Sequence, residues 1–193
     1  MRAKPFLSFI PNSLSILRIA FIPLFVLFYI TSGTLHWVAA LLFALACLTD
    51  WLDGLVARKF GVASKFGAFI DPVADKLVVV SALVVLIGSY GSLWLTLPGI
   101  VIVGRELLIA SLREWMAEVQ ARSQISVNMI AKVKTAIQMV AIVILLANPP
   151  HFNKPWTFIG LALIYLATAF TLWSMVIHLR AAWDKLREGF LSK

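Results

Sequence analysis

Residues 50–76 read DWLDGLVARKFGVASKFGAFIDPVADK. Asp50 and Asp53 are three residues apart, and Asp71 and Asp75 four, so on helices each pair shares one face. The first pair closes an apolar run at about 35–58, and the second opens another at about 66–90. Each run has the ~20 mostly apolar residues a bilayer-spanning helix needs. Asp53 lies five residues before Arg58 and Asp71 five after Phe66. At about 1.5 Å per residue, both pairs sit roughly 8 Å below the same surface. Adjacent antiparallel helices would bring all four carboxylates together.

Four further apolar runs flank this pair, at about 14–31, 93–118, 127–147 and 156–180. The breaks are short and carry turn chemistry: Thr31-Ser32-Gly33-Thr34, Gly88-Ser89-Tyr90-Gly91-Ser92 and Asn148-Pro149-Pro150. The spacing predicts an all-α integral membrane protein of six transmembrane helices, forming one domain over residues 1–193. Composition agrees. Residues of the AVILMFWYC set make up 61% of the chain and charged residues 13%, with a mean hydropathy of +0.94. Soluble domains are roughly half apolar and about a quarter charged, and disordered chains are less apolar still. Cys47, the single cysteine, excludes an intrachain disulfide and a cysteine-based metal site.

Residues 1–12 carry Arg2 and Lys4 beside Phe6, Leu7, Phe9 and Ile10, and read as a short helix lying in the membrane interface. A cleaved signal is not expected, because no small-x-small pattern follows Tyr29 and Pro23 interrupts the apolar run. Seventeen basic against nine acidic residues give a formal charge of +8. In a soluble chain that would point to nucleic acid; here the bases cluster at one side of the membrane. Arg2, Lys4 and Arg18 flank the start, and Arg58, Lys59 and Lys65 lie between the second and third runs. Arg113, Arg122, Lys132 and Lys134 surround the fourth connection, and Arg180, Lys185, Arg187 and Lys193 follow the last run. The opposite loops hold only Lys154. The positive-inside rule places both termini, and with them the aspartates, in the cytoplasm.

Four clustered carboxylates stay ionised only if cations neutralise them. Oxygen-only ligation suits Mg²⁺ or Mn²⁺, and two such ions suit phosphoryl chemistry. The bland alternative is four structural aspartates paired with Arg58, Lys65 and Lys76. Intramembrane charge is costly enough to favour function. Gly54, Ala57 and Gly67 are small enough for close approach, and Arg58 is placed to reach a phosphate.

The pattern Asp50-x2-Asp53-Gly54-x2-Ala57-Arg58-x8-Gly67-x3-Asp71-x3-Asp75 resembles the signature of the CDP-alcohol phosphotransferases, with all eight fixed positions present. These membrane enzymes move a phosphate-linked group from a CDP-linked donor to an alcohol and release CMP. The resemblance implies two divalent metals held by Asp50, Asp53, Asp71 and Asp75, with Asp75 as base for the acceptor hydroxyl. It implies donor contacts from Gly54, Ala57, Arg58, Gly67 and Ser64, and a homodimer. Residues 11–18, PNSLSILR, are similar to the family's N-terminal segment, making Asn12 and Ser15 candidate contacts for CDP-diacylglycerol. Many relatives carry Thr where this chain has Ser15, and the hydroxyl is kept.

The acceptor is read from the fourth and fifth runs. Arg105 stands inside an apolar run, too deep for a routine surface charge, and Arg113 follows eight residues later, about 80° around the helix. With Lys132 and Lys134 they suit an anionic acceptor; choline or ethanolamine would call for aromatic or acidic partners. Lys132 and Lys134 lie about 200° apart on a helix, and Gln138 adds polarity to the Lys134 face. The alternative is that Arg113, Lys132 and Lys134 only snorkel. The runs FGAFIDPVADK, SLREWMA and KVKTAIQM resemble the family branch whose donor is CDP-diacylglycerol and whose acceptor is sn-glycerol 3-phosphate. Rival readings are the same chemistry with inositol phosphate or phosphatidylglycerol as acceptor, and a divalent-cation transporter. His36, His151 and His178 show no ligand spacing.

Overall fold

The computed structural model describes residues 5–31, 33–60, 65–118 and 129–191. They form six helices: α1 Pro5–Thr31, α2 His36–Phe60, α3 Lys65–Tyr90, α4 Leu93–Glu118, α5 Met129–Ala147 and α6 Pro155–Leu191. There is no strand among the described residues. The boundaries follow local chemistry. Gly91 ends α3 in the left-handed region (φ 55°), its N–H donating to the Ile87 carbonyl at 3.0 Å. Ser92 then opens α4, its carbonyl accepting from the backbone N–H groups of Leu95 and Thr96. Asn148 closes α5 by donating from its side chain to the Ile144 carbonyl, and the next two prolines prevent continuation. Pro155 occupies the first position of α6, where no intrahelical N–H is needed.

Two expectations change here. Residues 5–12 are not a separate element: α1 runs unbroken from Pro5 to Thr31. The last helix continues past Arg180 to Leu191, because Lys185 and Arg187 break the apolar run without breaking helix propensity. Helices α1, α4 and α6 each hold a window long and apolar enough to cross a membrane: Ser13–Thr31, Leu93–Met116 and Pro155–Arg180.

Helix α1 packs on α2 and α3, α2 on α5, α5 on α6, and α6 on α4, which also meets α3. The main core joins Phe25 of α1, Phe43 of α2, Leu83 and Leu86 of α3, Ile102 of α4, and Ile142 and Leu145 of α5. Phe25 and Phe43 meet edge to face, with centroids 5.9 Å apart. Gly160 fixes the spacing of α5 and α6, since a Cβ there would fall 2.8 Å from Leu145 Cγ. The outer faces carry exposed Leu, Ile and Trp, while Arg18, Arg105, Lys134, Thr171 and Ser174 are buried. A bundle with polar groups inside and apolar groups outside is built for lipid.

Candidate active site

Helix α1 joins the two aspartate-bearing helices. Ser15 and Arg18 are one turn apart and both buried. The Ser15 hydroxyl donates to Asp71 Oδ1 on α3, and Arg18 Nη1 lies 2.7 Å from Asp50 Oδ1 on α2. Carboxylates from two helices therefore meet the same turn of a third. Arg18 is 1% exposed, so its position among the flanking charges is corrected: it is an interior partner of Asp50. The cause is visible in α1, where Ser15, Arg18, Ile22, Phe25 and Tyr29 recur at helical spacing along the inward face. A guanidinium there is tolerated because it faces a carboxylate.

One turn beyond Asp71, Asp75 opens on a cavity of about 50 Å³ between α3, α4 and α5. Its polar wall is Asp75 and Lys76 of α3, Glu106 of α4, and Thr135 and Gln138 of α5. Its apolar wall includes Leu83, Ile102 and Met139. Beside it lies a charge cluster. Glu106 Oε1 accepts from Lys134 Nζ at 2.7 Å and from Arg105 Nη1 at 3.0 Å. Arg105 Nη2 donates to Ser174 Oγ of α6 at 2.9 Å. Lys134 is 2% and Arg105 8% exposed. Two cations on one carboxylate oxygen leave the cluster one positive charge in excess, which favours an anion.

The structure thus gathers Asp50, Asp71 and Ser15 at one turn of α1 and sets Asp75 on the cavity beside Arg105 and Lys134. Gly67 is buried near the start of α3. The side chains of Asn12, Asp53, Gly54, Ala57, Arg58, Arg113 and Lys132 lie outside the described set, and Ser64 lies outside the described residues altogether. Lys134 of α5 faces inward, on the same stripe as Gln138, Ile142 and Leu145. Arg18, Glu106 and Ser174 are functional candidates that sequence reasoning did not single out. Glu106 had a signal: an acid immediately after an intramembrane arginine is that arginine's nearest available counter-charge.

For a divalent cation, the test is the chemistry of the donors. Asp50, Asp71 and Asp75 offer carboxylate oxygens from facing helices, which fits a hard cation. Among the described residues, no three His, Cys, Asp or Glu are already gathered at one point, since Asp50 and Asp71 are turned to Arg18 and Ser15. The donor set fits Mg²⁺ or Mn²⁺.

Residues 8–173 match the family described as CDP-alcohol phosphatidyltransferase. The chain belongs to that family. Among curated relatives, one from Pseudomonas fluorescens is 50% identical over 180 residues, covering 92% of each chain. One from Yersinia pestis (strain Pestoides F) is 45% identical over 180 residues, 93% of this chain and 97% of its own. One from Shigella flexneri serotype 5b is 46% identical over 174 residues, 90% and 94%. All three are named CDP-diacylglycerol–glycerol-3-phosphate 3-phosphatidyltransferase. In this chain, the eight signature positions divide between the second half of α2 and the first half of α3. Ser15 and Arg18 on α1 hold Asp71 and Asp50 from outside the signature.

Proposed function

We propose that the protein transfers a phosphatidyl group from CDP-diacylglycerol to sn-glycerol 3-phosphate, giving phosphatidylglycerophosphate and CMP. The observation that carries this reading is the Arg105–Glu106–Lys134 cluster beside the cavity that Asp75 lines. It supplies an anion site within reach of a carboxylate base, which a phosphorylated alcohol needs and a phosphatidylglycerol acceptor would use poorly. The names and near-complete coverage of the relatives support it independently. A transporter reading has weaker support, since such proteins place their sites at midplane between repeated halves.

Asp50, Asp53, Asp71 and Asp75 would hold the divalent cations, which neutralise the donor pyrophosphate and the departing CMP. The remaining steps belong to the chain's own groups. Arg105 and Lys134 bind the acceptor phosphate and orient its free primary hydroxyl. Asp75 takes the proton from that hydroxyl. The hydroxyl oxygen bonds to the phosphorus esterified to diacylglycerol, and the phosphoanhydride bond to CMP breaks. Arg58 receives charge on the donor side. Positioning and charge neutralisation supply most of the acceleration, as in phosphoryl transfer generally.

All six helices cross the membrane in this reading, although α2, α3 and α5 carry charges at their site ends. Even α5, with 19 residues, extends about 28 Å, close to the ~30 Å hydrocarbon core. Arg18 and Lys134 leave the tally of loop charges, and the remaining loop bases other than Lys154 still group on one side. That side faces the cytoplasm by the positive-inside rule. The test is CMP release by purified protein with Mg²⁺ and CDP-diacylglycerol over a panel of acceptors. Release with sn-glycerol 3-phosphate and not with inositol phosphate or phosphatidylglycerol is expected; the reverse order would overturn the acceptor reading.

A further inference from the structure

We propose that the carboxamide of Gln138 recognises the secondary hydroxyl of the acceptor, in a cavity sized for a short acyclic polyol rather than a ring. This rests on the acceptor reading above. Gln138 lies one turn beyond Lys134 on the inward stripe of α5 and is 4% exposed. Its Oε1 is buried and has no hydrogen-bond partner among the described residues. A buried acceptor left unmet is costly, and this side chain lines the cavity that Asp75 and Glu106 also line. A donor held in that cavity would supply the missing partner once the carboxamide turns toward it. A hydroxyl suits both orientations of the amide, donating to its carbonyl or accepting from its NH₂.

The order of groups around the cavity matches one substrate class. Lys134, bonded to Glu106, marks where an anion docks. Gln138 lies one helical turn, about 5.4 Å, further along α5, and Asp75 faces the same space from α3. An anionic group, a neighbouring hydroxyl and a terminal hydroxyl to be deprotonated are the successive features of a three-carbon polyol phosphate. Volume adds a limit. About 50 Å³ holds roughly four water-sized groups at ~10–15 Å³ each. That accommodates the hydroxyl end of a glycerol unit and not a cyclohexane polyol. Leu83 and Ile102 in the apolar wall are fully buried, so enlarging the cavity would disrupt close packing.

The experiment compares sn-glycerol 3-phosphate with 3-hydroxypropyl phosphate, which keeps the phosphate and primary hydroxyl and lacks the secondary one. The full-length protein in detergent, with Mg²⁺ and CDP-diacylglycerol, is scored by the ratio of kcat/KM for the two acceptors. The natural chain is expected to favour sn-glycerol 3-phosphate by about tenfold or more, as for loss of one buried hydrogen bond. Gln138→Met should bring the ratio close to one, and Gln138→Glu, which keeps an acceptor oxygen, should retain much of it. A general structural role would change the absolute rates and leave the ratio alone. If Gln138→Met does not fold, Gln138→Asn, which withdraws the amide by one methylene, must show the same collapse. A natural chain that uses both acceptors equally, or a folded Gln138→Met or Gln138→Asn variant with the natural ratio, overturns the proposal. Absence of CMP release with either acceptor sinks the underlying acceptor reading as well, and is distinguishable from both.

Discussion

Replacing Glu106 by Gln tests the logic of the charge cluster directly. One oxygen, Oε1, faces Lys134 Nζ at 2.7 Å and Arg105 Nη1 at 3.0 Å. The two cations are 2% and 8% exposed, while Glu106 is 26% exposed. Removing one partner of a buried ion pair costs about 3–5 kcal/mol, because the other charge is left without compensation. Water reaching Glu106 softens that penalty, so about 2–3 kcal/mol is expected for Glu106→Gln in the absence of substrate. The measurement is thermal unfolding in detergent, with and without sn-glycerol 3-phosphate. An acceptor phosphate restores negative charge to Arg105 and Lys134 and no longer competes with a carboxylate for them. Acceptor at about 100 times its Kd adds ~2.7 kcal/mol, enough to recover most of the loss. The variant should therefore melt lower than the natural protein alone, gain more from the acceptor, and show a lower KM for sn-glycerol 3-phosphate. An unchanged melting temperature, or a smaller stabilisation by the acceptor than the natural protein shows, would refute the clamp.

Three further outcomes follow from the same geometry. Asp75→Asn should abolish CMP release while CDP-diacylglycerol still protects the protein against thermal unfolding; full residual turnover would remove Asp75 as the base. Arg105→Ala should raise the KM for sn-glycerol 3-phosphate by roughly 10-fold or more, as loss of a charge-assisted contact implies, with a much smaller change for CDP-diacylglycerol. Equal effects on both substrates would argue against an acceptor role. Chelation of divalent cations should stop turnover, and Mg²⁺ should raise the melting temperature of the natural protein but not of Asp71→Asn. Equal Mg²⁺ stabilisation of the two would separate Asp71 from metal binding.

The helices were legible because length and apolar content are strong signals in a membrane chain: each predicted run falls on an observed helix, and only the start of α1 and the end of α6 extend well beyond theirs. The inward faces were harder to read. In a soluble protein, the apolar stripe marks the core; here lipid-facing and core-facing positions are both apolar. Leu83, at the centre of the core, and Val84, on the outer face, are indistinguishable by hydropathy. Arg18 was obscured for a related reason. Counting bases for orientation treats each as a surface charge, although its neighbours at helical spacing are core residues. The unbroken course of α1 through Pro11 was also unreadable, since a proline between a basic start and an apolar run looks like a boundary.

The informative residues are instead the polar ones that recur at helical spacing, because lipid excludes them from the outside. Arg105 shares its stripe with Ile102, Ile109, Leu112 and Met116; Lys134 shares one with Gln138, Ile142 and Leu145; Ser174 shares one with Ile164, Ala167, Thr171 and His178. Each stripe alone identifies an inward face. Together they predict that Arg105, Lys134 and Ser174 meet, and Arg105 does donate to Ser174 while sharing Glu106 with Lys134. The Ser15–Arg18 face of α1 works in the same way, holding Asp71 and Asp50. For this chain, then, a buried polar group is both the sign of where the bundle closes and the material of its site. Glu106 illustrates why the two roles cannot be separated. It neutralises cations that the bundle could not otherwise bury, and by taking only one of their two charges it leaves the site ready for an anionic alcohol.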